Sequence, residues 1–193
     1  MGVLLIDQDG VLADFEQGLF DAFCARFPTG PAIRPADRRG FYAREQYEPE
    51  WRPAVNAIVR SKGFYRNLPE IAGGRAALEE MRAADHDVFV CTAPLSDAPR
   101  CAPEKLDWIE RHLGRDWVDR TIIVKDKSLV GNWLKPCVLV DDRPGVSARG
   151  VASPPWAHVL FDAPYNQGEP GPRLSCWADW RAVLDPVLAA QRR

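Results

Sequence analysis

Two carboxylates follow directly after an apolar run near the start of the chain. Residues 3–6 read Val-Leu-Leu-Ile, and Asp7 and Asp9 come next, with Gly10 allowing the backbone to turn sharply. At the carboxyl edge of a parallel sheet, both groups can converge on one hard cation that prefers oxygen ligands. The pair therefore predicts a nucleophile and Mg²⁺ site. Taken alone, it is explained equally well as an Asx turn that ends a strand.

Three further apolar runs end in reactive or polar side chains. They are 87–92, which ends in Thr92, 121–127, which ends in Lys127, and 137–142, which ends in Asp141 and Asp142. Each run is typical of a strand that leads into a ligand-binding crevice. Without the neighbouring motifs, Thr92 would be an ordinary β-branched strand end and Lys127 a solvated lysine.

The side chains at the successive strand ends resemble the pattern of the haloacid dehalogenase-like phosphohydrolases. In chain order they are an acidic pair, a hydroxyl, a lysine and a second acidic pair. Within that superfamily the chain is most similar to the 5'(3')-deoxyribonucleotidases. The motifs that carry the similarity are Asp-Gln-Asp-Gly-Val-Leu-Ala-Asp-Phe-Glu, Cys-Thr-Ala-Pro, Asp-Lys and Asp-Asp-Arg-Pro. It runs almost end to end, since the segments 153–161, 166–167 and 175–180 also resemble the family, although they do no obvious chemistry.

Length and periodicity predict one core with a small insertion. The chain has 193 residues, and the interval between the first strand at about 3–7 and residue 72 is too long for one crossover helix. We interpret 16–72 as a helical cap, and 1–15 together with 73–193 as the catalytic core. Helical stretches are predicted at Phe15 to Phe27 and at Val55 to Ser61. The later elements are helices at 75–84 and 103–113, strands at 87–92, 121–124, 137–141 and 157–161, and helical periodicity from Trp177 to Gln191. This alternation predicts an α/β fold with a doubly wound parallel sheet.

Composition narrows the function classes. The hydrophobic fraction of 46%, the charged fraction of 27% and the net charge of -2 are those of an ordinary globular protein without a broad basic field. A small-molecule nucleotide is therefore a better partner than polymeric nucleic acid. No apolar stretch approaches a membrane span, and the first apolar run already carries the proposed nucleophile, so we expect a cytoplasmic protein without a membrane partner. A homodimer is left open.

The resemblance implies a role for each acidic residue. Asp7 would attack phosphorus to form an aspartyl-phosphate, and Asp9 would protonate the leaving oxygen and then deprotonate water. The metal would be Mg²⁺, bound by Asp7, the backbone carbonyl of Asp9 and Asp142, with Asp141 in support.

Phosphate binding is implied for Thr92 and Lys127. Thr92 would hydrogen-bond a phosphoryl oxygen, and Lys127 would neutralise charge on the phosphoryl group and on Asp7. Lys125 is the competing lysine, but the family places its lysine directly after an aspartate, which selects Lys127. The chain departs from the family at Ala93, where a serine is frequent, so a phosphate or sugar hydrogen bond is lost or replaced.

The resemblance also implies a substrate pocket. Phe15 stands where the family stacks an aromatic ring on the base, although a core position in the first cap helix explains it equally well. Phe64 and Tyr65 fall where further aromatic pocket residues occur, and Arg143 could reach the phosphate or sugar.

Three functions are compatible with these residues. The favoured one is a Mg²⁺-dependent phosphatase that acts on (deoxy)ribonucleoside monophosphates. The second is a phosphatase of the same superfamily with another small phosphomonoester as substrate. The third is a phosphate-binding regulatory domain without turnover. The presence of both Asp7 and Asp9 argues against this third function, because binding alone does not need a second acid for proton transfer.

Overall fold

The computed structural model describes residues 2–134, 137–146 and 156–191, and within them the strands form a single parallel sheet. The strands are β1 (Val3–Ile6), β2 (Asp87–Thr92), β3 (Thr121–Ile123), β4 (Cys137–Asp141), β5 (Trp156–Phe161) and β6 (Arg173–Leu174). Their order in the sheet is β3-β2-β1-β4-β5-β6, and every pairing is parallel. The predicted doubly wound α/β fold is confirmed.

Helices connect and flank the strands. They are α1 (Phe15–Arg26), α2 (Arg52–Val59), α3 (Gly74–Ala83), α4 (Cys101–His112), α5 (Arg115–Val118), α6 (Lys127–Trp133) and α7 (Trp180–Ala190). Short 3-10 turns occur at Pro35–Asp37, Ala43–Gln46, Tyr65–Asn67, Pro164–Asn166 and Trp177–Asp179. Across the three described ranges, no helix has the length and apolar character that crossing a bilayer requires.

The clearest difference from the sequence prediction concerns Lys127. The sequence analysis placed Lys127 at the end of an apolar run with a strand at 121–124 and predicted no helix there, but β3 ends at Ile123 and Lys127 is the first residue of α6. The reason is local, since the Asp126 carboxylate accepts a hydrogen bond from the backbone N–H of Ser128 at 3.0 Å and so caps a new helix. Residues 153–155 of the C-terminal resemblance lie outside the described residues.

The centre of the sheet is buried on both faces. Leu4, Leu5 and Ile6 of β1 are fully buried, as are residues 137–140 of β4. One face carries the larger apolar layer, and Cys91 and Cys137 belong to the smaller layer on the other face with Leu5. Continuous apolar runs of this kind are what a parallel sheet covered by helices on both sides requires.

The segment between β1 and α3 leaves and rejoins the sheet at one point. The backbone N–H of Asp14 donates to the Pro69 carbonyl, and that of Ile71 donates to the Leu12 carbonyl, both at 2.8 Å. Helix α4 holds the returning half of the segment, because the Trp108 indole N–H donates to the Leu68 carbonyl at 2.8 Å. The cap and core boundaries of 16–72 stay a prediction.

Candidate active site

Strand order and register bring the predicted acidic pairs together. β1 lies between β2 and β4, and Ile6 is level with both Val90 and Val140. The next residue, Asp7, continues the ladder through its backbone N–H, which donates to the Val140 carbonyl at 2.9 Å. Asp7 therefore lies beside Asp141. The chain reverses its winding direction between β1 and β4, and ligands of open α/β sheets bind in the crevice at such a switch point.

The turn after β1 aims Asp9 into the same crevice. The Gln8 carbonyl accepts hydrogen bonds from the backbone N–H groups of Leu12 at 2.9 Å and Ala13 at 2.8 Å. Gly10 has a φ of +74°, and a Cβ added there would lie 2.3 Å from Asp142 Oδ2. Glycine is thus required both by the backbone conformation and by the close approach of the second acidic pair.

Three carboxylates meet at the floor of the crevice. Asp7, Asp141 and Asp142 each offer an oxygen within 4.8 Å of the others. Burial raises the pKa of Asp142 well above its usual range, and the neighbouring Asp141 and Asp7 raise it further. Burial also raises the pKa of Asp141. The cluster is therefore short of positive charge, which is the electrostatic condition that a bound divalent cation relieves.

Lys127 reaches this floor from the start of α6. Its Nζ lies 2.8 Å from Asp7 Oδ1 and 2.6 Å from Asp141 Oδ2. Burial alone would lower the pKa of Lys127, but the two carboxylates outweigh it and raise the pKa. The lysine therefore stays protonated and holds Asp7 in place.

A second buried lysine, Lys105 of α4, binds the other side of the site. Its Nζ lies 2.8 Å from Asp9 Oδ2 and donates to Thr92 Oγ1 at 2.7 Å. The Lys105 side chain is 1% exposed, and its ammonium lies 5.5 Å from the centre of the Tyr65 ring. One cation thus fixes the orientation of the second predicted acid and of the predicted phosphate-binding hydroxyl.

Asp142 is held by the turn that follows β5. The Tyr165 hydroxyl donates to Asp142 Oδ2, and Asn166 Nδ2 donates to the Asp142 backbone carbonyl at 2.8 Å. Asn166 Nδ2 also donates to the Phe161 carbonyl at 2.8 Å, which ties the turn to the end of β5. Both the backbone and the carboxylate of Asp142 are therefore fixed.

Above the carboxylates opens a cavity of about 720 Å³ between the sheet edge and the segment that follows β1. Six of the seven predicted substrate-binding residues line it together with the acidic cluster, and these are Phe15, Tyr65, Thr92, Ala93, Lys127 and Arg143. Phe64 is not on the cavity wall. It is buried behind it, with its ring centre 5.5 Å from that of Phe15 and 5.1 Å from that of Tyr65.

Arg143 joins the loop after β4 to an aromatic pair on the opposite wall. Its Nη2 donates to the Tyr42 hydroxyl at 3.1 Å, and its guanidinium lies 5.2 Å from the centre of the Phe41 ring. Phe41 and Tyr42 line the cavity, and Tyr42 is 53% exposed. The sequence analysis did not single out this pair, because two adjacent aromatics in an irregular segment carry no periodic signal.

The comparison with protein families decides the assignment. The family described as "5' nucleotidase, deoxy (Pyrimidine), cytosolic type C protein" matches residues 1–192. This chain belongs to that deoxyribonucleotidase family. The predicted resemblance is confirmed, and so is the prediction of an enzyme, a deoxyribonucleotidase-like phosphatase.

Curated relatives of this deoxyribonucleotidase family member match over most of their length. The cytosolic type 5'(3')-deoxyribonucleotidase of Homo sapiens is 40% identical over 199 residues, covering 98% of this chain and 96% of the relative. The mitochondrial 5'(3')-deoxyribonucleotidase of Homo sapiens is 41% identical over 192 residues, covering 94% of this chain and 82% of the relative.

Solved structures support the fold. A haloacid dehalogenase-like family hydrolase from Xanthomonas campestris has a TM-score of 0.57 at 15% identity and covers 100% of this chain and 94% of its own. A HAD family hydrolase from Deinococcus radiodurans R1, solved with bound phosphate and sodium, has a TM-score of 0.55 at 16% identity. It covers 97% of this chain and 96% of its own. At these identities the likeness concerns the fold of the deoxyribonucleotidase family member alone.

Lys105 is a buried contact residue that the sequence analysis missed, although the sequence holds a signal for it. On α4, Cys101, Lys105 and Trp108 follow at spacings of four and three, so the lysine lies on the apolar face of the helix. A lysine in that position must find a buried anionic or polar partner, because an unpaired buried ammonium is costly. The helix was predicted from 103 to 113, without a site role for Lys105.

Proposed function

We propose that the protein is a Mg²⁺-dependent phosphomonoesterase that hydrolyses (deoxy)ribonucleoside monophosphates through an aspartyl-phosphate intermediate on Asp7. The observation that supports this most directly is the convergence of Asp7, Asp141 and Asp142 within 4.8 Å, with Lys127 bound to Asp7, beneath a partly aromatic cavity. A nucleophile, a cation site and a cavity with aromatic side chains then share one crevice.

The donor set suits Mg²⁺, which prefers hard oxygen ligands. Both carboxylate oxygens of Asp141 already have donors, since Oδ2 accepts from Lys127 at 2.6 Å and Oδ1 accepts from the Arg143 backbone N–H at 2.9 Å. This favours Asp7, Asp142 and the backbone carbonyl of Asp9 as the metal-binding groups, with Asp141 as their support. When bound, Mg²⁺ would neutralise the phosphoryl oxygens and favour attack by an anionic nucleophile.

The first half-reaction forms a bond between an Asp7 oxygen and phosphorus while the bond from phosphorus to the sugar oxygen breaks. Asp9 gives its proton to that departing oxygen, which leaves as the nucleoside hydroxyl. Lys127 and Thr92 stabilise the charge on the transferred phosphoryl group. In the second half-reaction Asp9 takes a proton from water, the water oxygen bonds to phosphorus, and the Asp7 carboxylate is released with inorganic phosphate.

The environment of Asp9 suits this exchange of protons. Burial raises the pKa of Asp9, although the nearby Lys105 ammonium opposes the rise. The same lysine holds Oδ2 at 2.8 Å, whereas Oδ1 is buried without a hydrogen-bond partner among the described residues. A raised pKa helps Asp9 to carry the proton that the leaving group needs.

Lys105→Met should lower kcat for a nucleoside monophosphate by about 10- to 100-fold, because hydrogen bonds to charged groups contribute roughly 1.5 to 3 kcal/mol. Methionine keeps the apolar stem but releases both Asp9 and Thr92. Steady-state kinetics at saturating Mg²⁺ would measure the effect. Lys62→Met, which changes an exposed lysine of the segment after β1, is the matched control. Wild-type kcat in Lys105→Met would show that Lys105 does not order the catalytic groups.

The substrate assignment rests on the size of the cavity, its aromatic wall and the names of the relatives. Aromatic side chains offer flat faces on which any base can stack. Phe15, Phe41, Tyr42 and Tyr65 provide such rings on the wall of a cavity of about 720 Å³ that the carboxylates also line. Ala93 offers no hydroxyl to the substrate, so the neighbouring Thr92 carries the side-chain hydrogen bond at this strand end.

A panel of phosphate esters tests the proposal directly. Phosphate release would be measured with deoxyribonucleoside and ribonucleoside monophosphates, sugar phosphates and an aryl phosphate, with Mg²⁺ and after chelation. We expect nucleoside monophosphates to have the highest kcat/KM and chelation to abolish turnover. A sugar phosphate with a higher kcat/KM than every nucleotide would support the alternative small phosphomonoester instead.

Phe15→Ala separates base stacking from core packing. If Phe15 stacks on the base, the variant should lose about 5- to 150-fold in kcat/KM for a nucleotide, equivalent to roughly 1 to 3 kcal/mol, and little for an aryl phosphate. Phe64→Ala is the matched comparison, because it removes an equal ring that lies behind the cavity wall. It should lower stability by about 3 to 5 kcal/mol and affect both substrates alike.

The outcome that would remove Phe15 from the substrate site is an equal loss of kcat/KM for both substrates that follows the fall in melting temperature.

The nucleotide is the partner that this proposal names. The absence of polymeric nucleic acid and membrane partners stays a prediction, and the homodimer stays open. The cytoplasmic location also stays a prediction, since the human relatives include a cytosolic and a mitochondrial form.

A further inference from the structure

We propose that Tyr165 is a positioning residue that fixes the Asp142 carboxylate for metal binding and couples it to the cavity wall through Arg38. The inference rests on the proposed function, because it concerns the metal that the reaction would use. It assigns a role to a side chain that contacts a metal-binding group and not the reacting atoms.

The first observation is how tightly Asp142 is enclosed on one side. Its Oδ2 accepts from the Tyr165 hydroxyl, and Gly10 approaches so closely that an added Cβ would lie 2.3 Å from this oxygen and 3.2 Å from the hydroxyl. One oxygen of the carboxylate is therefore committed to Tyr165 against the backbone. The carboxylate fixed in this way offers an oxygen within 4.8 Å of an oxygen of Asp7, where the two groups can bind one cation.

The second observation is that Tyr165 cannot easily shift. Its neighbour Asn166 is 1% exposed and uses both ends of its amide. Asn166 Nδ2 donates to the Asp142 carbonyl at 2.8 Å, and Asn166 Oδ1 accepts from Arg173 Nη1 at 2.6 Å and from the Ala163 backbone N–H at 3.1 Å. The turn that carries Tyr165 is thus anchored to the backbone of the residue whose carboxylate Tyr165 holds.

The third observation links Tyr165 to the segment after β1. The Arg38 guanidinium lies 5.7 Å from the centre of the Tyr165 ring, which is within the range of a cation–π contact. Arg38 is held by a buried ion pair, with Nε 2.5 Å from Glu16 Oε2 and a side chain that is 1% exposed. A planar guanidinium that is fixed in this way restrains the ring that it faces.

Arg38 also contacts the aromatic pair of the cavity. Its Nη2 donates to the Phe41 backbone carbonyl at 3.4 Å, and the Phe41 ring centre lies 6.0 Å from that of Tyr165. The residues that hold the metal-binding carboxylate therefore also hold the wall that faces the base.

Tyr165→Phe tests the positioning role, since it deletes the hydroxyl and keeps the ring. We expect the dissociation constant for Mg²⁺, measured by isothermal titration calorimetry without substrate, to rise by about 10- to 100-fold. At saturating Mg²⁺ kcat should return close to the wild-type value. The melting temperature without metal should change little, because the ring contacts with Arg38 and Phe41 remain.

Tyr47→Phe is the matched control, because its hydroxyl accepts from the Ile33 backbone N–H at 3.4 Å and contacts none of the acidic residues at the floor of the crevice. It should leave Mg²⁺ affinity unchanged. Arg38→Lys keeps the charge beside Glu16 but loses the planar contact with the ring, so it should weaken Mg²⁺ binding in the same direction and by a smaller factor.

Wild-type Mg²⁺ affinity in Tyr165→Phe would overturn the inference while leaving the proposed function intact. Equal weakening in Tyr165→Phe and Tyr47→Phe, with equal loss of melting temperature, would also overturn it, because that pattern indicates general destabilisation. A wild-type protein that binds no Mg²⁺ would instead contradict the proposed metal dependence. The titration therefore distinguishes the two failures.

Discussion

Asp7→Asn should reduce phosphatase activity to background, a loss of roughly 10⁴- to 10⁶-fold, as for the removal of other nucleophiles or their charged partners. The amide has nearly the shape of the carboxylate, but it lacks the charge needed to attack phosphorus. The fold should be retained. Lys127 still pairs with Asp141 at 2.6 Å, and the buried cluster loses one of its three mutually repelling carboxylates.

Two measurements check this result. Wild-type enzyme quenched in acid during turnover of a phosphate-labelled nucleotide should carry the label on protein, and Asp7→Asn should carry none. The melting temperature of the variant without Mg²⁺ should equal or exceed that of the wild type. Asp85→Asn is the control, because Asp85 is exposed, lies in the turn before β2 at the opposite edge of the sheet, and has a φ of 59° that asparagine also adopts. Substantial turnover by folded Asp7→Asn would exclude the covalent mechanism.

Asp9→Asn should lower kcat for nucleoside monophosphates by about 10² to 10⁴, the usual contribution of general acid–base catalysis. The variant keeps the backbone carbonyl proposed to bind Mg²⁺, so metal affinity and substrate binding should change much less than kcat. An aryl phosphate whose phenol leaves without a proton should lose less in the first half-reaction than a nucleotide does. The ratio of the two losses thus reports proton transfer specifically.

Single-turnover kinetics with both substrates would measure this ratio, because they isolate formation of the phosphoryl-enzyme. Asp14→Asn provides the matched control. Asp14 is the N-cap residue of α1 and accepts a hydrogen bond from the Gln17 backbone N–H at 2.9 Å, and asparagine caps helices as well as aspartate does. If Asp9→Asn lost the same factor with both substrates, or nothing with either, its role as acid and base would be withdrawn.

The sequence by itself determined the reaction class and the centre of the fold. Asp7 and Asp141 end apolar runs, and a parallel sheet can place the carboxyl ends of neighbouring strands only at one edge. Their proximity therefore follows from strand pattern, once β1 and β4 are adjacent. The turn at Gly10 was also predictable, because a chain that turns directly after a buried strand needs a residue without a Cβ.

Other parts of the site depend on which way helices and loops face, and that was decided by tertiary packing. Lys105 binds Asp9 because α4 turns its apolar face toward the sheet, and Phe64 is hidden because Phe15 and Tyr65 fill the wall before it. Tyr165 meets Asp142 across 23 positions of chain. Such contacts have no fixed spacing in sequence, because they are set by how separate elements pack and not by the period of any one of them.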